Sequence, residues 1–122
     1  MFDDRSPIYR QIAEQIKADV LRGVLRADDQ VMSTNQYAAH HRINPATAAK
    51  AFQQLVDEGV VYKRRGIGMF VSPDAAEKLR AERRERFFLD VVHPMVVEAR
   101  MIDISLAEIR HHLEGLDDHR RS

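Results

Sequence analysis

Two groups of residues have the types and spacing for chemistry, and in both it is non-covalent recognition. Lys63, Arg64 and Arg65 stand together beside Gly66 and Gly68. Cations packed at a turn can lie along a phosphate backbone or reach into a minor groove. From Asn44 the chain reads Asn-Pro-Ala-Thr-Ala-Ala-Lys-Ala-Phe-Gln-Gln. On a helix that run leaves Ala46, Thr47, Ala49, Lys50, Gln53 and Gln54 outward. Short side chains allow close approach, and amides offer donors and acceptors to base edges. Alone, the helix fits an ordinary amphipathic helix equally well, and the basic run fits a solvated charge cluster better. Together they are more specific: residues 40–72 hold Arg42, Lys50, Lys63, Arg64 and Arg65 against Asp57 and Glu58. Overall charge says nothing, since 19 basic residues balance 19 acidic ones. Only the distribution points to nucleic acid.

Covalent chemistry has no comparable footing. The chain lacks a glycine-rich phosphate loop, a Gly-x-Ser-x-Gly elbow and a His-Glu-x-x-His pair. Its acids are scattered over charged helix faces, so no catalytic residue is assigned and the chain does not read as an enzyme. The histidines (His40, His41, His93, His111, His112 and His119) include adjacent pairs that diverge on a helix, so neither a metal site nor a cofactor is expected. There is no cysteine, which fits a reducing, cytoplasmic setting. The N-terminus lacks the pattern of a signal peptide. No stretch approaches the ~18 apolar residues of a membrane span, so no membrane partner is expected.

The elements that must position these residues follow from periodicity. Ser6 and Pro7 suit the start of a first helix with Ile8, Ile12, Ile16 and Val20 on one face, ending near Gly23. After a polar connection, Ser33 is an N-cap for a short helix to about His41. Asn44 as N-cap and Pro45 at the first position open another, Ala46 to about Glu58, with Ala48, Ala51, Phe52, Leu55 and Val56 inward. Two short helices across a tight turn form a helix-turn-helix. Val60–Tyr62 and Ile67–Val71 read as strands of a hairpin with 63–66 as its basic turn. Beyond Pro73, a charged helix runs from Ala75 to about Arg86. An apolar helical stretch follows, with Phe88, Val92, Met95, Ala99 and Ile102 on one face. Pro94 must kink or interrupt it. Ser105-Leu-Ala-Glu108 is a capping box for a last helix carrying Ile109, Leu113 and Leu116. Residues 117–122 are expected to fray.

With 122 residues, the expected architecture is mainly α with a small β-hairpin: a winged helix-turn-helix over 5–73 and a short helical tail over 74–122. The tail is too small to form its own core, yet it bears a long apolar stripe. That stripe either folds back on the N-terminal domain or pairs with a second copy. Pairing is favoured, because an exposed stripe of this length is unusual on a monomer and two-fold dimers are the commonest oligomers.

Pro7-Ile-Tyr-Arg-Gln-Ile-Ala13, Gly23-Val-Leu25, Met32-Ser-Thr-Asn-Gln-Tyr-Ala38, Ile43 to Phe52, Leu55, Gly59 and Arg64-Arg-Gly-Ile-Gly-Met-Phe-Val71 together resemble the GntR family of bacterial regulators over about residues 5–72. The Asn-Pro-x-Thr turn and the short tail look most like its YtrA subfamily. The resemblance implies DNA contacts from Ser33, Thr34 and Asn35, from Asn44, Pro45, Ala46, Thr47, Ala49 and Lys50, and from a wing of Arg64, Arg65, Gly66 and Gly68. It implies a tail that dimerises, through Phe88, Val92, Met95, Ala99, Ile102, Ile109 and Leu113. The chain departs from the family pattern at Asn35, Pro45 and Ala49, where many relatives carry arginine; Asn35 suits adenine instead. It departs also at Asp28 and Met32, where relatives often carry glycine and proline.

The reading is a sequence-specific transcriptional regulator of the cytoplasm, a repressor acting as a homodimer on an inverted repeat in double-stranded DNA. The missing arginines motivate a second reading, a winged-helix protein-interaction module without specific DNA binding. A third is a sensor of a small molecule or metal, its unknown effector held by the tail.

Overall fold

The computed structural model describes residues 6–121. The chain divides into two compact units, one ending at Ala81 and the other beginning at Glu82. Arg5, the expected start of the first domain, and the side chain of His119 lie outside the described residues.

The first unit is three helices and a hairpin: α1 (Ile8–Leu21), α2 (Thr34–His41), α3 (Pro45–Asp57), β1 (Val61–Arg64) and β2 (Gly68–Val71), followed by the first turns of α4 (Ala75–Phe87). α1 buries Ile12, Ala13, Ile16 and Val20, and α3 buries Ala48, Ala51, Phe52 and Leu55. These apolar faces meet, and Tyr37 of α2 sets its ring edge-on to Phe52 at 5.5 Å. Burying aliphatic side chains such as Ile12 and Leu55 contributes about 1.5–3 kcal/mol each. The expected cap at Ser6 is not formed. Pro7 itself stands at the N-cap with no side-chain bond, since proline supplies the extended backbone but no acceptor, and Ser6 accepts from Gln11 Nε2 at its carbonyl at 2.7 Å. Ser33 does cap α2, in a reciprocal box with Gln36. Asn44 caps α3 ahead of Pro45.

The hairpin pairs Val61 with Val71, Tyr62 with Phe70, Lys63 with Met69 and Arg64 with Gly68. Lys63 and Arg64 therefore belong to β1 rather than to the turn, which Ile67 N closes by donating to Arg64 O at 2.9 Å. The connection after α1, expected to be a plain polar loop, adds a third edge to the hairpin. Asp28 N donates to Val71 O, Val71 N to Asp29 O and Val31 N to Met69 O, all within 2.9 Å. Ala75 and Leu79 of α4 join the buried core of this unit, and Lys78 Nζ donates to Glu58 O at 2.8 Å. The first unit therefore runs past Pro73, the boundary expected from the sequence.

The second unit continues α4, then a wide π-helical turn over Phe88–Val92, α5 (His93–Met101) and α6 (Leu106–Arg121). Pro94 neither breaks the helix nor leaves a non-helical residue: backbone from Ala75 to Met101 stays helical. Proline has no N–H for the carbonyl one turn back and its ring crowds that carbonyl; the wider turn just before it absorbs both defects. Arg86 and Asp90 pair across the turn at 3.0 Å. Ser105 and Glu108 form the reciprocal capping box expected of them, each bond 3.1 Å, and the backbone of α6 is helical through Arg121. Among the described residues of this unit only Ala99 is buried. Val92 and Ile109 are half-buried, while Phe88, Met95, Ile102, Leu113 and Leu116 are exposed. No helix among the described residues is long and apolar enough to cross a membrane.

Candidate nucleic-acid interface

One open groove lies between the start of α2 and the tip of the hairpin. Ser33, Thr34, Asn35 and Gln36 form one wall, and Lys63, Arg64, Arg65, Gly66, Ile67 and Gly68 the other, with Gln30 and Val31 at its base. No acidic side chain lines it, and beside the apolar Val31, Ile67 and Met69 every charged side chain in it is a cation, so a chain with balanced overall charge concentrates positive charge here, with a helix N-terminus on one side.

The residues of this groove are not equally available. Ser33 Oγ accepts from Gln36 N at 3.1 Å, while Ser33 N donates to Gln36 Oε1 at 3.0 Å. Asn35 is exposed and its amide faces no partner among the described residues. The Arg64 guanidinium lies 5.6 Å from the Phe70 ring centroid, an attraction of charge to the ring face that holds it to the hairpin. Arg65 is exposed at the tip without such a tether. Gly66 has φ +75° and Gly68 φ +147°, conformations that L-residues with a Cβ rarely adopt. A Cβ at Gly68 would lie 2.6 Å from Gln30 Nε2.

The first turn of α3 is a separate exposed stretch. Asn44 Oδ1 accepts from Ala46 N at 2.8 Å, so the cap occupies its carbonyl and leaves its NH2 outward. Pro45, Ala46, Ala49 and Lys50 are exposed and Thr47 is half-buried. None of these lines the groove at the hairpin. Lys50 Nζ sits 4.3 Å over the Tyr9 ring of α1, in a shallow cleft of mixed charge with Arg10, Asp57 and Glu58. Gln53 and Gln54 are each bonded to an acid one turn on, Asp57 at 2.8 Å and the C-cap Glu58 at 3.3 Å, so the amides read as outward donors are engaged at the end of α3.

Three contributors were not singled out in the sequence. Gln30 Nε2 donates to Ile67 O at the hairpin tip at 3.2 Å. Tyr62 Oη donates to Asp28 Oδ1 at 2.7 Å, and this bond pushes the Tyr62 phenol above its usual value, helped by desolvation and the Asp28 charge. Tyr9 carries Lys50. Only tertiary placement reveals these roles; Gln30 and Asp28 sit in a polar run without period. Among the described residues no three His, Asp or Glu side chains converge as a metal would require.

Comparison with known proteins gives these features a context. The family model described as "Bacterial regulatory proteins, gntR family" matches residues 8–71, from the first residue of α1 to the last of β2. The HTH-type transcriptional repressor YtrA of Bacillus subtilis (strain 168) is 29% identical over 109 residues, 88% of this chain and 83% of that protein. The structure is similar to a GntR family transcriptional regulator from Listeria monocytogenes, with a TM-score of 0.76 and 25% identity over 93% of this chain and 98% of the other. It is also similar, over 59% of its length and 93% of the other chain, to AraR(DBD) in complex with operator ORX1, with a TM-score of 0.54 and 26% identity.

Proposed function

Because the chain belongs to the gntR family of bacterial regulatory proteins, we propose that it is a cytoplasmic transcriptional repressor whose N-terminal unit binds duplex DNA and whose tail pairs two copies. The acid-free cationic groove carries this reading. It joins a helix N-terminus to a glycine-bearing hairpin, donors and cations together, as phosphate and groove contacts need. The start of α3, with Pro45, Ala46 and Ala49 exposed and Thr47 half-buried among them, is shaped for close approach to a major groove. Ser33, Thr34 and Asn35 take the neighbouring backbone and base edges, and Arg65 and Arg64 the wing contacts. Lys50, held over Tyr9, reaches a phosphate from the flank.

The homodimer is supported by the tail. A unit whose only buried described residue is Ala99 cannot hold itself together by its own core, and Phe88 at 65% exposure and Leu113 at 52% are the kind of surface a second copy covers. Two such DNA-binding units related by a two-fold axis read an inverted repeat, with half-sites about one helical turn apart. Any small-molecule effector would bind along the paired tail helices.

The test is selection of duplexes from a random-sequence pool by the full chain, followed by fluorescence anisotropy on the enriched and scrambled duplexes over a salt series. Enrichment of an inverted repeat, bound by one dimer with affinity falling steeply as salt rises, is the expected result. No enrichment, with weak and equal binding to all duplexes, overturns the reading in favour of a protein-interaction module.

A further inference from the structure

We infer that Gln30 is the positioning residue of the wing: its side chain, bonded to the Ile67 carbonyl beneath Gly68, sets how the hairpin tip is presented to DNA. The inference rests on the DNA-binding reading above and adds a residue that does not itself depend on touching DNA.

Three observations converge on this residue, two of them on its side chain. Gln30 Nε2 donates to Ile67 O at 3.2 Å, a contact spanning 37 positions in sequence. Its amide occupies the space that any Cβ at Gly68 would take, 2.6 Å away. So the glycine that gives the hairpin its backbone shape also makes room for the brace. Finally, Gln30 pairs through its backbone with Phe70 as an isolated bridge, and Val31 N donates to Met69 O at 2.9 Å. The residue that holds the wing is therefore rooted in the segment that leads, three residues on, into the cap of α2.

The consequence is geometric coupling. A two-stranded hairpin with a free tip is a marginal structure. Here Ile67 is fixed at both backbone groups: its N–H closes the turn on Arg64 O at 2.9 Å and its C=O is taken by Gln30. The neighbouring Arg65, which lacks the ring contact that holds Arg64, then owes its position to the backbone of the tip. The Gln30 brace fixes the distance from Arg65 to Ser33, Thr34 and Asn35 across the groove. With the brace gone, the hairpin still pairs through its own ladder, but Arg65 loses its fixed reach to phosphate.

The test uses the full chain on the duplex that the wild type enriches from the random pool, with Gln30→Ala, Gln30→Met, Arg65→Ala and the two double variants. Gln30→Met keeps the bulk beneath Gly68 and removes the amide that bonds Ile67 O. The expected result is a melting temperature close to wild type for both single Gln30 variants. Affinity falls about threefold to tenfold, the scale of one hydrogen bond, and the salt slope falls by about one, as for loss of one phosphate contact. In the Arg65→Ala background the Gln30 substitutions should cost nothing further, because the group they position is absent. Wild-type affinity and salt slope in both Gln30 variants, or a Gln30 effect fully additive with Arg65→Ala, overturns the inference. Failure of the wild type to enrich any duplex overturns the DNA-binding reading instead, and is seen before any variant is made.

Discussion

Tyr62 Oη and Asp28 Oδ1 are joined by a 2.7 Å hydrogen bond, and Asp28 holds its backbone at φ +64°. The bond ties the loop after α1 to the middle of β1 at a residue whose left-handed conformation is costly for any side chain but glycine and, less so, Asn and Asp. Two substitutions separate the contributions. Asp28→Gly loses the bond but frees the backbone, whereas Asp28→Ala loses the bond and keeps the strain. Asp28→Ala should be the less stable of the two by about 1 kcal/mol, measured as the urea midpoint of the full chain. Equal midpoints would show that the left-handed backbone costs nothing here.

The same bond makes stability fall in alkali. The bond to Asp28, with desolvation and the Asp28 charge, raises Tyr62 above the ordinary tyrosine value of 10.0. At Lys17, burial works to lower the pKa, but the bond and charge of Glu58, 2.5 Å away, and the charge of Glu14 more than offset it, so Lys17 ends above 10.5. Both groups hold their protons more tightly when folded. Their contributions are fully present below those unfolded values and are lost as pH rises through the raised folded ones. Tyr62→Phe and Lys17→Met should each lower the midpoint at neutral pH and flatten its alkaline decline. A decline as steep in both variants as in the wild type would assign the alkaline loss to other groups.

How much of this was legible in the chain depends on whether the causes were local. α1, α2, α3 and the hairpin follow from one-residue caps and apolar periods, so Ser33, Asn44, Phe52 and Leu55 could be placed from sequence alone. The hairpin's strand ends were shifted because a basic turn and a basic strand end look alike; pairing with Met69 and Gly68 puts Lys63 and Arg64 in β1. The roles of Gln30 and Asp28 were invisible for a different reason. Each acts on a residue more than thirty positions away, and a polar run carries no periodicity that would announce it. Engagement of Gln53 and Gln54 by Asp57 and Glu58 was readable in principle from the four-residue spacing, which also suits outward amides.

Arg64 and Arg65 are adjacent in sequence but unequal in structure, and the difference is measurable. Arg64 lies against Phe70, so Arg64→Ala removes a contact within the hairpin as well as a charge. Arg65→Ala removes charge alone. Both should weaken binding on every duplex and reduce the salt slope by about one, but only Arg64→Ala should also lower the melting temperature, by a few degrees. Equal melting temperatures with unequal salt slopes would mean that the ring contact does not hold Arg64.

The tail offers the test of assembly. Phe88 is 65% exposed and Leu113 52% exposed in the single chain. On a monomer, Phe88→Glu and Leu113→Glu would be surface changes, each within about 0.5 kcal/mol of neutral. In a two-fold interface each substitution is made twice, and a carboxylate is driven into an apolar contact that must give it up or break. The expected outcome is a dimer for the wild type and a monomer for either variant by sedimentation velocity. The N-terminal unit should keep its melting behaviour, because its core from Ile12 to Leu79 includes neither residue. Binding to the selected inverted repeat should fall by orders of magnitude while binding to an isolated half-site is unchanged, since only the linkage between two recognition units is lost. If both variants sediment as the wild type does, the exposed stripe is not the interface.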